Sequence, residues 1–213
     1  MALKIGNQFI FFHIPKTGGN SFRFFLKNNT SYKLREISHK HATPDFLFGN
    51  LNNLNVKNYL FDPLRNLESI VFIRNPISWY ESWYRYQISR GVVKWKSERG
   101  VRRWHPLSIL DHINFSSFNQ YIIDMQTLNP KFLTDFYARY LSNLNKKVIK
   151  IEDLKNTSSK QFSELNFDPA KILTSDFPRY RPTPGPEVKW DLGLKRELVK
   201  NEASLFEEFG YSN

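Results

Sequence analysis

Two short apolar runs stand out along the chain: FIFF at residues 9 to 12 and SIVFI at 69 to 73. Unbroken runs of this length, rich in Phe, Ile and Val, predict strands buried on both faces. The first extends to a strand over 7–14, the second to a strand over 67–73, and KKVIKIEDL at 146–154 holds a third. Between them the pattern is helical. Residues 20–28 predict a short helix capped by Asn20 or Ser21, and TPDFLFGNLN at 43–52 starts another, with Thr43 as cap and Pro44 in its first position. Asn75 and Pro76 open a helix that runs to about Arg90. Ser116 or Ser117 caps a helix to about Thr127, and a further one spans Pro130 to Leu141. SSKQFSEL at 158–165 reads as a short capped helix, and Asp191 starts an amphipathic helix that stops at Gly210. Residues 91–115 and the Pro-rich 175–190 read as loops. Strands alternating with helices predict an α/β fold with a mainly parallel central sheet flanked by helices.

Composition narrows the class. The chain has 213 residues, enough for one sizeable core, and no Pro/Gly/Ser-rich spacer or repeat divides it, so a single domain over 1–213 is expected. Apolar content of 40% with 16% aromatic is globular rather than disordered. The absence of cysteine excludes disulfides and thiolate metal sites and fits a reducing compartment. The start, MALKIGNQF, has no charged segment followed by a long apolar core, and no apolar run approaches the ~20 residues of a membrane span. A cytoplasmic location is therefore expected, with no membrane span. Lys plus Arg is 31 against 20 for Asp plus Glu, a balance of +11 that attracts anions without choosing among them.

The chemistry is concentrated where the first strand ends, in HIPKTGGNS at 13–21. A strand, a glycine loop and a helix in succession make a phosphate cradle, because a helix N-terminus offers unpaired N–H groups and a positive dipole end. Gly18 and Gly19 let an anion approach the backbone; Lys16 adds a full positive charge; Thr17, Asn20 and Ser21 add short donors. The loop departs from the nucleoside-triphosphatase order GxxxxGK[ST], because Lys16 precedes the glycines. The second strand ends in FIRNPISWYES, 72–82. It puts Arg74 at the carboxyl edge of the sheet, where open α/β sheets bind ligands, and Ser82 on the following helix. Trp79, Trp83 and Tyr86 share another face of that helix and read as core.

HIPKTGG together with FIRNPxxxxxS resembles the sulfotransferases that use 3′-phosphoadenosine 5′-phosphosulfate (PAPS), in particular the carbohydrate branch. KHAT at 40–43 is similar to a segment that carries a His near the acceptor in many of them, and NEASLFEEFGY is similar to their closing helix. The resemblance implies a P-loop-like core. It implies that Pro15, Lys16, Thr17, Gly18, Gly19, Asn20 and Ser21 hold the 5′-phosphosulfate, and that Arg74 and Ser82 hold the 3′-phosphate. It further implies transfer of a sulfuryl group to a hydroxyl or amine of a carbohydrate or small-molecule acceptor, with no nucleic-acid partner. Asn20 stands where the family often has Thr, a polar capping residue in either case.

Such a transfer requires an aligned acceptor, a base for its proton and a cation for the leaving oxygen. Lys16 suits the last role. A group titrating near neutrality suits the base, which favours His. His41 is the first choice, partly from the KHAT similarity, with Asp45 and Glu68 as carboxylate alternatives; His13 lies inside the loop and shapes it, and His39, His105 and His112 are the others. No clustered His and carboxylate ligands suggest a metal. In RGVVKWKSERGVRRWH, six cations from Arg90 to Arg103 alternate with Trp95 and Trp104, a pattern that suits acidic sugars, nucleic acid or a solvated surface equally. Arg179 and Arg181 are weaker candidates for the 3′-phosphate. A P-loop small-molecule kinase and a non-catalytic basic module for polyanions are the competing functions.

Overall fold

Three of the five strands form where the apolar runs lie. In the computed structural model, residues 2–38, 40–48, 64–92, 108–141, 145–155, 167 and 184–212 are described. The helix expected over 158–165, the end of the one expected over 43–52, most of both long loops, His39, His105, Arg179 and Arg181 lie outside them. By contacts the chain divides into two units, Met1–Arg74 with Tyr137–Arg181, and Asn75–Phe136 with Pro182–Asn213. No described helix is long and apolar enough to cross a membrane.

The first unit is built on a five-stranded sheet. Its strands are β1 (Leu3–Ile5), β2 (Phe9–Phe12), β3 (Leu34–Glu36), β4 (Glu68–Ile73) and β5 (Lys146–Lys150), in the order β3-β1-β2-β4-β5. The β2–β4 and β4–β5 pairs are parallel, with Phe9 opposite Glu68 and Ile73 opposite Lys150. The other two pairs are antiparallel, Leu3 facing Phe11 and Glu36. The fold is α/β as expected, but the sheet is mixed rather than mainly parallel. The reason is local. Gly6 at φ 56° turns the chain back after only three residues, and so short a connection can join antiparallel neighbours alone.

β2 is buried at every position and β4 at all but its first, which is why both read as continuous apolar runs. Leu3, Ile5, Phe9, Phe11, Ile70 and Phe72 form one core cluster with Phe22, Phe25 and Leu26 of the helix α1 (Gly19–Asn29). Those three helical positions follow the i, i+3, i+4 rule for a buried stripe. Phe22 meets Phe11 edge-on at 4.9 Å between ring centroids and Phe72 at 4.7 Å. Each such ring stabilises by about 1.5–3 kcal/mol through burial. The short helix α2 (Pro44–Phe48) starts as expected, Thr43 Oγ1 accepting from the Phe46 N–H at 3.1 Å.

The second unit is helical and aromatic: α3 (Pro76–Ser89), α4 (Phe118–Leu128), the first half of α5 (Phe132–Leu141), α6 (Leu192–Asn201) and α7 (Ala203–Phe209). Asn75, Ser117 and Asp191 cap α3, α4 and α6, each accepting from the N–H three residues on. Trp79 and Trp83 are buried and stack at 5.9 Å, as their shared face implied. The helix expected from Asp191 to Gly210 is interrupted at Glu202, which caps α7 but sends its carboxylate inward. There it accepts from the Tyr80 hydroxyl at 2.7 Å, the Leu133 and Thr134 N–H groups at 2.8 and 2.9 Å, and the Thr134 hydroxyl at 2.6 Å. The carboxylate thus closes the open N-terminus of α5, where its charge meets the positive end of the helix dipole. Burial pushes its pKa up, while the donors from Thr134, Tyr80 and Leu133 oppose that rise. Gly210 ends α7 in the left-handed conformation, as expected.

Candidate functional site

β2 delivers His13 to the edge of the sheet, and six residues later α1 begins. The intervening loop is held by its own atoms. Thr17, fully buried, donates its hydroxyl to the Ile14 carbonyl at 2.9 Å. Lys16 and Gly18 both adopt left-handed backbone, φ 69° and 80°. For a lysine this conformation costs roughly 1–2 kcal/mol, so the surroundings must hold it. One holding contact is visible: Arg74 Nη1 donates to the Lys16 carbonyl at 3.2 Å.

The cap of α1 differs from the expected one. Gly18 is the cap, not Asn20 or Ser21, which lie inside the first turn. The left-handed glycine turns the chain straight into the helix, so no extended residue is left whose side chain could fold back. As a result α1 has no side-chain cap; its first turn also carries no acidic residue. Asn20 is exposed and Ser21 buried. The opening of α1 is thus electropositive and uncompensated by the usual capping devices, which suits an anion. The Thr17 hydroxyl, one of the short donors expected from the sequence, already donates within the loop.

Both glycines also answer to packing. A Cβ on Gly18 would sit 1.9 Å from Ile151 Cδ1; one on Gly19 would sit 2.1 Å from Cδ2 of the His13 ring. His13 is 3% exposed, and its Nδ1 has no hydrogen-bond partner among the described residues. Burial holds its pKa well below the ordinary histidine value, and the nearby His41 and Lys40 push it the same way, so the ring stays neutral.

His41 lies against this ring, at 4.8 Å between centroids. Its Nδ1 is 3.0 Å from the His13 carbonyl. A carbonyl can only accept, so the proton of the neutral ring sits on Nδ1 and Nε2 is the basic nitrogen. Of the alternatives, Asp45 is exposed on α2. Glu68 opens β4 at the end opposite Arg74 and lies 3.5 Å from Lys147 Nζ, which removes it from the loop's end of the sheet. His112 is exposed at the end of a 3-10 turn.

Arg74 follows β4 directly. Its N–H donates to the Tyr137 hydroxyl at 3.2 Å, and that hydroxyl donates to the Arg74 carbonyl at 3.1 Å. Tyr140, one turn further along α5, donates to the His41 carbonyl at 2.9 Å. Neither tyrosine is evident as a site residue in the sequence; the only signal is YxxY on an apolar helix. The first unit therefore brings together Pro15 to Ser21, His41 and Arg74. Ser82 belongs to the second unit, buried on α3 at 3% exposure. Of the basic loop only its first residues are described; the Arg90 guanidinium lies 6.0 Å from the Tyr86 ring centroid. The chain matches no protein-family model and no curated protein.

Proposed function

We propose that the chain is a sulfotransferase that moves a sulfuryl group from PAPS to a hydroxyl or amine of a carbohydrate or small-molecule acceptor. One observation carries this reading: Arg74, the cation of the second sequence motif, donates to the backbone of the first motif at Lys16. Two stretches 58 residues apart thus meet at one sheet edge. A P-loop-like core, with the anion site at the carboxyl ends of the parallel pair β2 and β4, is the fold this reading calls for.

The residues fit a nucleotide carrying two phosphate-bearing positions. The opening of α1, from Gly18 to Ser21, supplies N–H groups and a positive dipole end for the 5′ end. Arg74 suits the 3′-phosphate by charge and planar geometry; Ser82, which the resemblance pairs with it, lies in the second unit. PAPS, when bound, supplies an already electrophilic sulfur with phosphate as leaving group. Lys16 stabilises the charge that grows on the leaving oxygen. His41, with its proton on Nδ1, takes the acceptor proton on Nε2. The neutral His13 beside it adds no competing positive charge.

The test is calorimetric titration with 3′-phosphoadenosine 5′-phosphate, with ATP–magnesium as comparison, on the wild-type chain and on Lys16→Ala and Arg74→Ala. Metal-independent preference for the 3′-phosphorylated nucleotide, weakened in both variants, is expected. Equal binding of ATP–magnesium, or no nucleotide binding, would sink the reading.

A further inference from the structure

Two of the contacts around the site come from a single face of one helix. Tyr137 and Tyr140 lie three residues apart on α5, on the same side of the helix, and both are fully buried. Each sends its hydroxyl to the main chain of a residue that the proposed reaction uses. Tyr137 bridges both the N–H and the carbonyl of Arg74; Tyr140 holds the carbonyl of His41. These partners lie 63 and 99 residues away along the chain.

The position of the first contact explains its form. The Ile151 N–H to Ile73 carbonyl bond, 2.9 Å, closes the β4–β5 ladder at its carboxyl end. Arg74 is the next residue, where a strand would need a further neighbour for its N–H and its carbonyl. One hydroxyl, donating and accepting, stands in for that neighbour and fixes the main chain from which the guanidinium reaches Lys16. The second contact acts on His41 from the carbonyl side, while its ring holds the His13 carbonyl from the other. His41 is thereby pinned at both ends.

Burial alone does not account for these bonds. Tyr121 is equally buried, and its hydroxyl has no hydrogen-bond partner among the described residues. We propose that Tyr137 and Tyr140 are positioning residues for the transfer, one setting the grip of Arg74 on the nucleotide and the other setting the orientation of the base His41. This rests on the sulfotransferase reading. Burial raises the pKa of the Tyr140 hydroxyl, which keeps it a donor throughout the working pH range.

Tyr137→Phe and Tyr140→Phe remove one oxygen each and keep the ring. For Tyr137→Phe, affinity for 3′-phosphoadenosine 5′-phosphate is expected to fall about five-fold, while that for adenosine 5′-phosphate is unchanged. For Tyr140→Phe, nitrogen-15 NMR of the neutral His41 ring is expected to show its proton shifting from Nδ1 toward Nε2. In the wild-type chain, saturating 3′-phosphoadenosine 5′-phosphate is expected to shift the Arg74 amide and the Tyr137 ring resonances, a readout that needs no variant to fold. An equal loss for both nucleotides, an unchanged His41 tautomer, or unmoved wild-type resonances would overturn the proposal. A wild-type chain that does not prefer the 3′-phosphorylated nucleotide would remove the sulfotransferase reading itself, and is seen before any tyrosine is changed.

Discussion

Replacing Gly19 by alanine separates the two explanations for the glycine pair, anion access and packing. On helix propensity alone the change is favourable, since Ala exceeds Gly by about 0.8–1 kcal/mol inside a helix, and by less at a first position. Packing opposes it. The added methyl would lie 2.1 Å from His13 Cδ2 and 2.5 Å from Cγ and Nε2. Carbon atoms prefer about 3.5–4.0 Å, so the ring must retreat by well over an ångström. It has little room to do so, with Phe11 stacked at 6.1 Å and His41 at 4.8 Å between centroids. Overpacking of this kind costs about 1–3 kcal/mol, which outweighs the propensity gain. Net destabilisation of about 1–2 kcal/mol is expected, measured by urea denaturation followed by far-ultraviolet circular dichroism. The cost should vanish in a His13→Ala background, where the methyl has space, leaving the small propensity gain. A Gly19→Ala chain as stable as wild type, or an equal cost in both backgrounds, would refute the packing reasoning.

Three further outcomes follow from the same contacts. His13 is neutral when folded and ordinary, near 6.5, when unfolded, so its contribution is complete above that pH and is lost as pH falls toward the lowered folded value. Below pH 6.5 the wild type should therefore lose stability by up to about 1.4 kcal/mol per pH unit more than His13→Leu, read from urea midpoints at stepped pH. Glu202→Gln turns one acceptor oxygen into a donor facing groups that themselves donate. Destabilisation of about 2–3 kcal/mol is expected by thermal or urea melting, and a neutral result would show that the four bonds are dispensable. Lys16→Gly should stabilise the unliganded chain by about 1 kcal/mol relative to Lys16→Ala, because the left-handed backbone is free to glycine alone, while both lose nucleotide affinity.

The central part of the fold was legible because β2, β4 and β5 are marked by local pattern, and Thr43, Asn75, Ser117, Asp191 and Gly210 mark helix ends by their own chemistry. β1 and β3 were not, since three residues are too few to show a period. The split at Glu202 was hidden for a different reason: a Glu on an amphipathic helix looks solvated until Tyr80, Leu133 and Thr134 are seen to surround it. In the site, the loop and Arg74 could be read from spacing. The choice of Gly18 over Asn20 or Ser21 as cap could not, because it depends on the backbone angle at one residue. Nor could the tyrosines, whose partners are brought to them only by the sheet.

The phosphorus-31 NMR spectrum of 3′-phosphoadenosine 5′-phosphate reports its two phosphates separately, so one titration into the wild-type chain, Lys16→Ala and Arg74→Ala tests both halves of the site together. Both resonances should move with the wild type; Arg74→Ala should lose chiefly the 3′ shift and Lys16→Ala chiefly the 5′ shift. Resonances that stay still with the wild-type chain, or that respond alike to both substitutions, would contradict a site in which Lys16 and Arg74 hold opposite ends of one nucleotide.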